Sequence, residues 1–369
     1  MSNQVRLTGI NLQNFRNLGS VSLKFSSDRI FFIGKNGQGK SNLLEAIGMC
    51  STLRSFRGAI SESMVKQDQS EASLFAQFLD DHGNERDILV SFAKKGAKAV
   101  RLDGEPTQRL VDLLGQFPLV CLSSRDFRLV RESPSDRRKW MDLVLSSTSA
   151  EYLSALQRYY RSMKERNVLL KKQASDSELV AFEHTLAASA HTLFQVRKTL
   201  FPELEQAFEE SYSKLSNDLE VAKLSYLPDS QADDPDQWMN LFARERMRDR
   251  QVGATRKGPH RDDFALLLND QNASQFGSEG QQKGVVLALR MAEFLFLKQK
   301  LGRMPILLAD DFLGELDQVR RANFRKLLPP SAQTFATGTE FPSQQDADIW
   351  EAFEVDSGNF IPLEPIHKE

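Results

Sequence analysis

Val21, Leu23 and Phe25 alternate with polar residues, the period of a strand with one buried face. Ile30-Phe31-Phe32-Ile33 is a short continuous apolar run, as expected of a strand covered on both faces. Alternation returns at Leu74, Ala76 and Phe78, at Ile88, Val90 and Phe92, and at Val100 and Leu102 before Asp103-Gly104. This predicts an antiparallel meander ending in a tight turn.

The middle of the chain changes period. Ser133-Pro134-Ser135-Asp136 reads as a helix start, with Ser133 as cap, Pro134 at the first helical position and Asp136 in the positive first turn. Leu153, Leu156, Tyr160, Met163 and Leu170 then follow helical spacing. Leu179, Leu186, Leu193 and Leu200 recur every seven residues. Two such segments joined around Lys171–Ser177 predict an antiparallel helical hairpin, packed either like a coiled coil or as ordinary helices on a core. Pro202 marks a stop or bend. Sheet-and-helix character returns after about residue 255. A long helical pattern runs from Glu279 to about Lys300, and Ile306-Leu307-Leu308-Ala309 is a second buried-strand run. The expected organisation is one α/β head built from both chain ends, residues 1–130 and 255–369, with a helical lobe at 131–254.

Composition narrows this little. The chain has 369 residues, 40% hydrophobic and 27% charged, which suits a soluble globular protein. Cys50 and Cys121 are the only cysteines, giving neither a disulfide framework nor a zinc site and fitting a reducing compartment. The start Met-Ser-Asn-Gln-Val-Arg lacks a secretory apolar stretch, and the most apolar run, Val285–Leu297, is broken by Arg290 and Glu293. A cytoplasmic protein without a membrane role is expected. The net charge of −2 argues against coating nucleic acid by bulk charge but leaves a local patch open.

Gly34-Lys35-Asn36-Gly37-Gln38-Gly39-Lys40-Ser41 matches G-x-x-x-x-G-K-[ST] at every fixed position. It follows a buried-strand run and precedes a helix pattern with Leu43, Leu44 and Ile47, the context a phosphate loop requires, and the nucleotide-binding residues expected run from Gly34 to Asn42. Glycines admit the phosphates, backbone N–H groups and the helix N-terminus attract them, Lys40 would reach the β/γ-phosphates of ATP, and Ser41 would offer its hydroxyl to Mg²⁺. Asp310 and Asp311 close the second buried strand. Asp310 would hold the Mg²⁺ shell, and Asp311 would orient or deprotonate the attacking water. Lys40 and Asp310 lie near opposite chain ends, a separation that suits a head split by an insertion.

Phe276-Gly277-Ser278-Glu279-Gly280-Gln281-Gln282 precedes the long helix. It resembles the S-x-G-Q signature of ABC-type ATPases, in which Ser278 and the Gly280 N–H would face the γ-phosphate bound by a partner subunit. Asp317, in Leu313-Gly314-Glu315-Leu316-Asp317, sits as the D-loop aspartate does in that class, at a dimer seam. Transporter members usually carry a switch histidine near Thr337-Gly338-Thr339, and none occurs here. The fold class implied is an ABC-type P-loop ATPase head with an inserted helical lobe.

Further motifs resemble one family. Leu12-Gln13-Asn14-Phe15-Arg16-Asn17, Ser55-Phe56-Arg57, Ser133–Asp142 and Gly258-Pro259-His260-Arg261-Asp262-Asp263-Phe264 are similar, in order, to those of RecF proteins. The resemblance implies an ATP-dependent homodimer that binds double-stranded DNA near gaps or single/double-strand junctions and helps load the RecA recombinase with RecO- and RecR-like partners. It places Arg16 and Arg57 near the nucleotide; an ordinary surface salt bridge is the alternative for both. Glu132, Ser124-Arg125, Trp140 and Gly314 depart from the family pattern, and Glu279 sets a carboxylate beside the expected γ-phosphate seat. That departure keeps open an ATP-regulated binding module with a nearly silent ATPase. Arg137, Arg138 and Lys139 are candidate DNA contacts, although helical spacing spreads them around the helix. Arg244, Arg246, Arg248, Arg250, Arg256, Lys257 and Arg261 form a second basic stretch that is either an interface or a solvated surface. His260 is either catalytic or a turn histidine.

Overall fold

The computed structural model describes residues 4–95, 98–107, 110–341 and 350–363. Met1–Asn3, which open the N-terminal stretch read above, and the end of the expected head segment at 364–369 lie outside them.

Two compact units form: Met1–Phe127 with Lys214–Ser216 and Val286–Glu369, and Arg128–Ser213 with Asn217–Val285. The first therefore draws on both chain ends. Residues 255–285, placed with the head by their sequence character, pack with the helical unit, because their strands pair with a strand that follows the helical hairpin.

In the first unit the predicted meander, β4 (Glu71–Leu79), β5 (Glu85–Ala93), β6 (Ala99–Leu102) and β7 (Glu105–Thr107), is joined by β1 (Arg6–Phe15) and β2 (Leu18–Lys24) in one six-stranded antiparallel sheet of order β2-β1-β4-β5-β6-β7. Its alternating residues Leu74, Ala76, Phe78, Ile88, Val90 and Phe92 are all buried. Asp103 and Gly104 turn β6 into β7 with both φ positive, at 53° and 79°, as a primed hairpin turn requires.

The second sheet of this unit orders β15 (Asn359–Pro362), β14 (Glu351–Asp356), β3 (Arg29–Ile33), β13 (Thr334–Gly338), β12 (Ile306–Asp310) and β8 (Leu119–Ser123). All neighbours are parallel except β14 with β15. Ile30, Phe31, Phe32 and Ile306–Ala309 are fully buried, which accounts for their unbroken apolar runs. Helix α1 (Lys40–Thr52) follows β3 directly after the Gly-rich loop.

In the second unit, α2 (Phe127–Arg131, whose first residue belongs to the first unit) leads into α3 (Pro134–Thr148), α4 (Ala150–Lys171) and α5 (Asp176–Ser216). Ser133 takes the N-cap position of α3, but its hydroxyl lies 2.9 Å from that of Ser135 instead of capping the helix. Helices α4 and α5 form a hairpin. Arg166 on α4 meets Glu183 on α5 at 2.9 Å, and an earlier residue of α4, Tyr152, meets a later residue of α5, Arg197, also at 2.9 Å, so the helices run antiparallel. Leu179, Glu183, Leu186, Ala190, Leu193 and Arg197 form a buried seam at alternating spacings of four and three, as in a coiled coil. Glu183 and Arg197 are its polar members. Arg197 reaches Asp142 and Asp262 at 2.7 and 2.6 Å, and Arg166 reaches Asp249 at 2.7 Å. Buried charges with such paired partners fix register more than they add stability.

Pro202 does not end the helix: α5 continues to Ser216. The proline removes one backbone bond, but Phe201, Leu204, Phe208 and Tyr212 continue the buried stripe across it and outweigh that loss. A three-stranded sheet of β9 (Ala222–Leu227), β10 (Asp263–Leu268) and β11 (Gln271–Asn272) completes this unit with α6 (Pro235–Val252) and α7 (Ala273–Phe276). Helix α8 (Glu279–Leu301) begins in the second unit and ends in the first; α9 (Gln318–Leu327) belongs to the first.

Candidate functional site

The Gly-rich loop leaves β3 at the carboxyl edge of the parallel sheet, where ligands of open α/β sheets bind. Two of its glycines, Gly34 and Gly39, are sterically required. A β-carbon on Gly34 would sit 2.3 Å from the Val355 carbonyl oxygen, and Gly39, at φ 117°, caps α1 against Leu18. Lys40 is 3% exposed, and its Nζ donates to the Gly34 and Lys35 carbonyls at 2.6 and 3.0 Å. Its charge is thus held within the loop. The Ser357 and Gly358 N–H groups donate to Gln38 at 2.6 and 2.9 Å, bracing the loop from the β14–β15 turn.

Asp310 ends β12, and its carboxylate is hydrogen-bonded to Ser41, so the two residues expected to hold Mg²⁺ meet. Burial raises the Asp310 carboxyl above the ordinary aspartate range, and the Asp311 charge adds to this; Ser41 and Thr337 oppose it. A hydroxyl beside a carboxylate is the hard oxygen set that Mg²⁺ prefers. Asp311 adopts φ 52°, an unusual conformation for a non-glycine residue and of the kind that clusters at functional sites.

Thr337 holds this arrangement. The Asp311 N–H donates to its Oγ1 at 2.8 Å, while its hydroxyl shares its proton between Asp310 Oδ1 at 3.1 Å and Asp311 Oδ1 at 3.2 Å. Nothing local in the sequence marks Thr337. The signal lies in the sheet order, since β13 runs between β3 and β12. No larger side chain fits after it: a β-carbon on Gly338 would lie 2.9 Å from Phe31 Cζ.

Arg16 and Arg57 both approach Glu45 of α1, with nearest distances of 2.8 and 3.7 Å. Because Glu45 is fully buried, this is not the surface salt bridge weighed for them. Asp317 caps α9, accepting the Arg320 N–H at 2.8 Å. Its burial would raise the carboxyl, but the Arg320 backbone and guanidinium hold it below the ordinary range.

In the second unit, Ser278 and Gln281 form a reciprocal cap. The Ser278 N–H donates to Gln281 Oε1 at 2.8 Å and the Gln281 N–H to Ser278 Oγ at 3.3 Å. Gly280 lies in the first turn of α8, and Gln281 Nε2 donates to Glu220 at 2.8 Å. Glu279 pairs with Lys283 at 3.1 Å, which lowers its pKa and offsets its charge.

The candidate DNA contacts are largely engaged within the chain. Arg137 makes a bidentate pair with Asp263 at 2.7 and 2.8 Å, and Arg138 donates to the Asp262 carbonyl at 3.0 Å. Lys139 is exposed and paired with Asp136. In the second stretch, Arg246 and Arg250 bind Asp176, Arg248 binds Glu245 and Lys257 binds Asp229. Paired side chains offer less to a phosphate track than the sequence suggests.

His260 is structural. Its Nδ1 lies 2.7 Å from the Tyr159 hydroxyl and its Nε2 3.0 Å from the Thr255 carbonyl, so Nε2 carries the proton and donates it. Burial lowers its pKa from 6.5 to about 4. The folded state therefore favours the neutral ring. Its stabilisation is complete above pH 6.5 and is lost as the pH falls towards 4, by about 1.4 kcal/mol per unit and about 3 kcal/mol in all. Urea unfolding at pH 7 and 5 is expected to show about 2 kcal/mol of this loss in the wild type and a smaller one in His260→Gln, whose amide can supply the same donor and acceptor.

No helix among the described residues is long and apolar enough to cross a membrane. The model of the RecF/RecN/SMC N-terminal domain matches residues 6–346. The DNA replication and repair protein RecF of Leptospira interrogans is 33% identical over 92% of this chain and 93% of its own length. That of Geotalea daltonii is 32% identical over 97% and 100%. A solved structure described as the recombination mediator protein RecF-ATP in the RecFOR pathway superposes with a TM-score of 0.90 at 29% identity, covering 98% of this chain and 99% of that one. An Smc head domain from Pyrococcus furiosus, at 17% identity and a TM-score of 0.56, shares the fold. With phosphate loop, paired aspartates and ABC-type α/β head in place, this chain belongs to the RecF family of DNA replication and repair proteins.

Proposed function

We propose that this chain is an ATP-dependent DNA-binding repair and recombination protein working as an ATP-closed homodimer. The observation that carries the reading is the meeting of Ser41, Asp310, Asp311 and Thr337 at the carboxyl ends of neighbouring strands. Lys40 binds the β/γ-phosphates of ATP, Ser41 and Asp310 hold Mg²⁺, and Asp311 orients the attacking water. Bound Mg²⁺ would neutralise charge on the phosphate oxygens. Ser278, Gly280 and Gln281 of a second copy close on the γ-phosphate, with Asp317 at the seam. The closed dimer grips duplex DNA near gaps or single/double-strand junctions, cooperates with RecO- and RecR-like proteins in loading RecA, and releases DNA on slow hydrolysis. A cytoplasmic setting follows from these partners.

The rival, a binding module with a nearly silent ATPase, rested on Glu279, and the Lys283 pair weakens that support. The test is ATP turnover against protein concentration, with and without gapped duplex DNA, using Lys40→Ala as background. A specific rate that climbs with concentration and with DNA supports the coupled dimer. A rate above background but flat in both overturns it in favour of a monomeric ATPase.

A further inference from the structure

Glu45 lies one helical turn beyond Ser41 on α1, is fully buried, and has no part in the chemistry described above. Both of its oxygens are engaged. Oε2 accepts Arg16 Nε at 2.9 Å, and Oε1 accepts Arg16 Nη2 at 2.8 Å and the Ser55 hydroxyl. Arg57 Nη1 lies 3.7 Å from Oε2 and donates to Asn42 Oδ1 at 2.7 Å. The chain of bonds continues into the phosphate loop: Asn42 Nδ2 donates to Asn17 Oδ1 at 2.7 Å, and Asn17 Nδ2 to the Gly37 carbonyl at 3.4 Å.

A buried carboxylate among cations is a weak source of stability but a strong source of geometry. Three segments converge on it: the β1–β2 turn carrying Arg16, helix α1, and the loop just after α1 carrying Ser55 and Arg57. Arg16 sits at φ 57°, and its N–H donates to the Met64 carbonyl at 2.7 Å, so its backbone is fixed as well. The two arginine side chains remain 20% and 30% exposed, so the pairing does not bury them. Burial raises the Asp310 carboxyl, and the Arg57 charge is among the influences opposing it, which places that cation within electrostatic reach of the paired aspartates.

We infer that Glu45 is a positioning residue that locks Arg16 and Arg57 to α1 and sets both guanidiniums for the phosphates of the bound nucleotide. The inference rests on the ATP reading above. It makes a prediction opposite in sign to simple charge. Removing a carboxylate beside a polyphosphate site should tighten binding by relieving repulsion. Removing a positioning carboxylate weakens binding, because the guanidiniums lose their fixed geometry.

The experiment is titration of a fluorescent ATP analogue with Mg²⁺ into the full chain: wild type, Glu45→Gln, Arg57→Ala and the double variant, with Lys40→Ala as reference. Glu45→Gln and Arg57→Ala are each expected to weaken binding roughly tenfold, and the double variant by little more than either. Glu45→Gln binding as tightly as wild type or tighter overturns the inference, as does a double variant whose loss is the product of the single losses. If Glu45→Gln does not fold, Ser55→Ala replaces it. That variant removes one bond to Glu45 and is expected to weaken binding about twofold to threefold, and an unchanged affinity overturns the inference. Wild type binding no better than Lys40→Ala overturns the ATP reading itself and the inference with it, whereas strong wild-type binding with an indifferent Glu45→Gln overturns the inference alone.

Discussion

Asp311→Asn is expected to lower ATP turnover by at least about 100-fold while leaving nucleotide affinity within a few-fold of wild type. The lower bound is the usual contribution of a positioned general base, about 10²–10⁴-fold. The substitution is nearly isosteric. Its side-chain oxygen can still accept from Thr337, and its N–H can still donate to Thr337 Oγ1, so the φ 52° conformation is retained. What is lost is the capacity to take a proton and to bind the attacking water as a carboxylate. Steady-state turnover alongside titration of an ATP analogue checks both halves. A variant that keeps a third or more of the wild-type rate would show that Asp311 is not the group acting on water.

Lys40→Ala is the second large effect, and it falls on binding. Nζ stands against two loop carbonyls in a side chain only 3% exposed, so its charge is fixed where phosphate oxygens would lie. Truncating one partner of a close, desolvated charge pair costs about 2–5 kcal/mol. At 1.4 kcal/mol per tenfold, the dissociation constant for ATP with Mg²⁺ is expected to rise by roughly 30-fold or more. The melting temperature should change little, since the alanine leaves the Gly37–Gly39 backbone and the Gln38 braces intact. Binding within threefold of wild type would remove Lys40 from the phosphate site.

Both predictions concern residues legible in the sequence, and for one reason. The loop from Gly34 to Ser41 is contiguous, and the strand before it and the helix after it announce themselves by period. Asp310 and Asp311 end an apolar run long enough to read as a buried strand. The residues that organise these groups were not legible. Glu45 stands between Leu44 and Ala46 and reads as a charge on a helix, yet it is completely buried. Thr337 closes the Thr334–Thr337 stretch, and its value comes from β13 lying between β3 and β12. In the second unit, the leucine heptad was visible, but Glu183 and Arg197, which share its seam, were not.

The candidate DNA contacts show the converse. Arg137-Arg138-Lys139 is a cluster in sequence, but Arg137 is held by Asp263 from β10, far along the chain. Adjacency in sequence says nothing about which carboxylate the fold will bring to a cation.

By itself, then, the sequence determined the local elements, the phosphate loop, the paired aspartates and the family, because backbone preferences and hydrophobic period act over a few residues. The tertiary structure alone decided the strand order, the buried charge partners, the neutral state of His260 and the convergence of Arg16 and Arg57 on Glu45. Those depend on which distant segments the chain topology brings within hydrogen-bond reach, and on the loss of water there that makes each pairing obligatory.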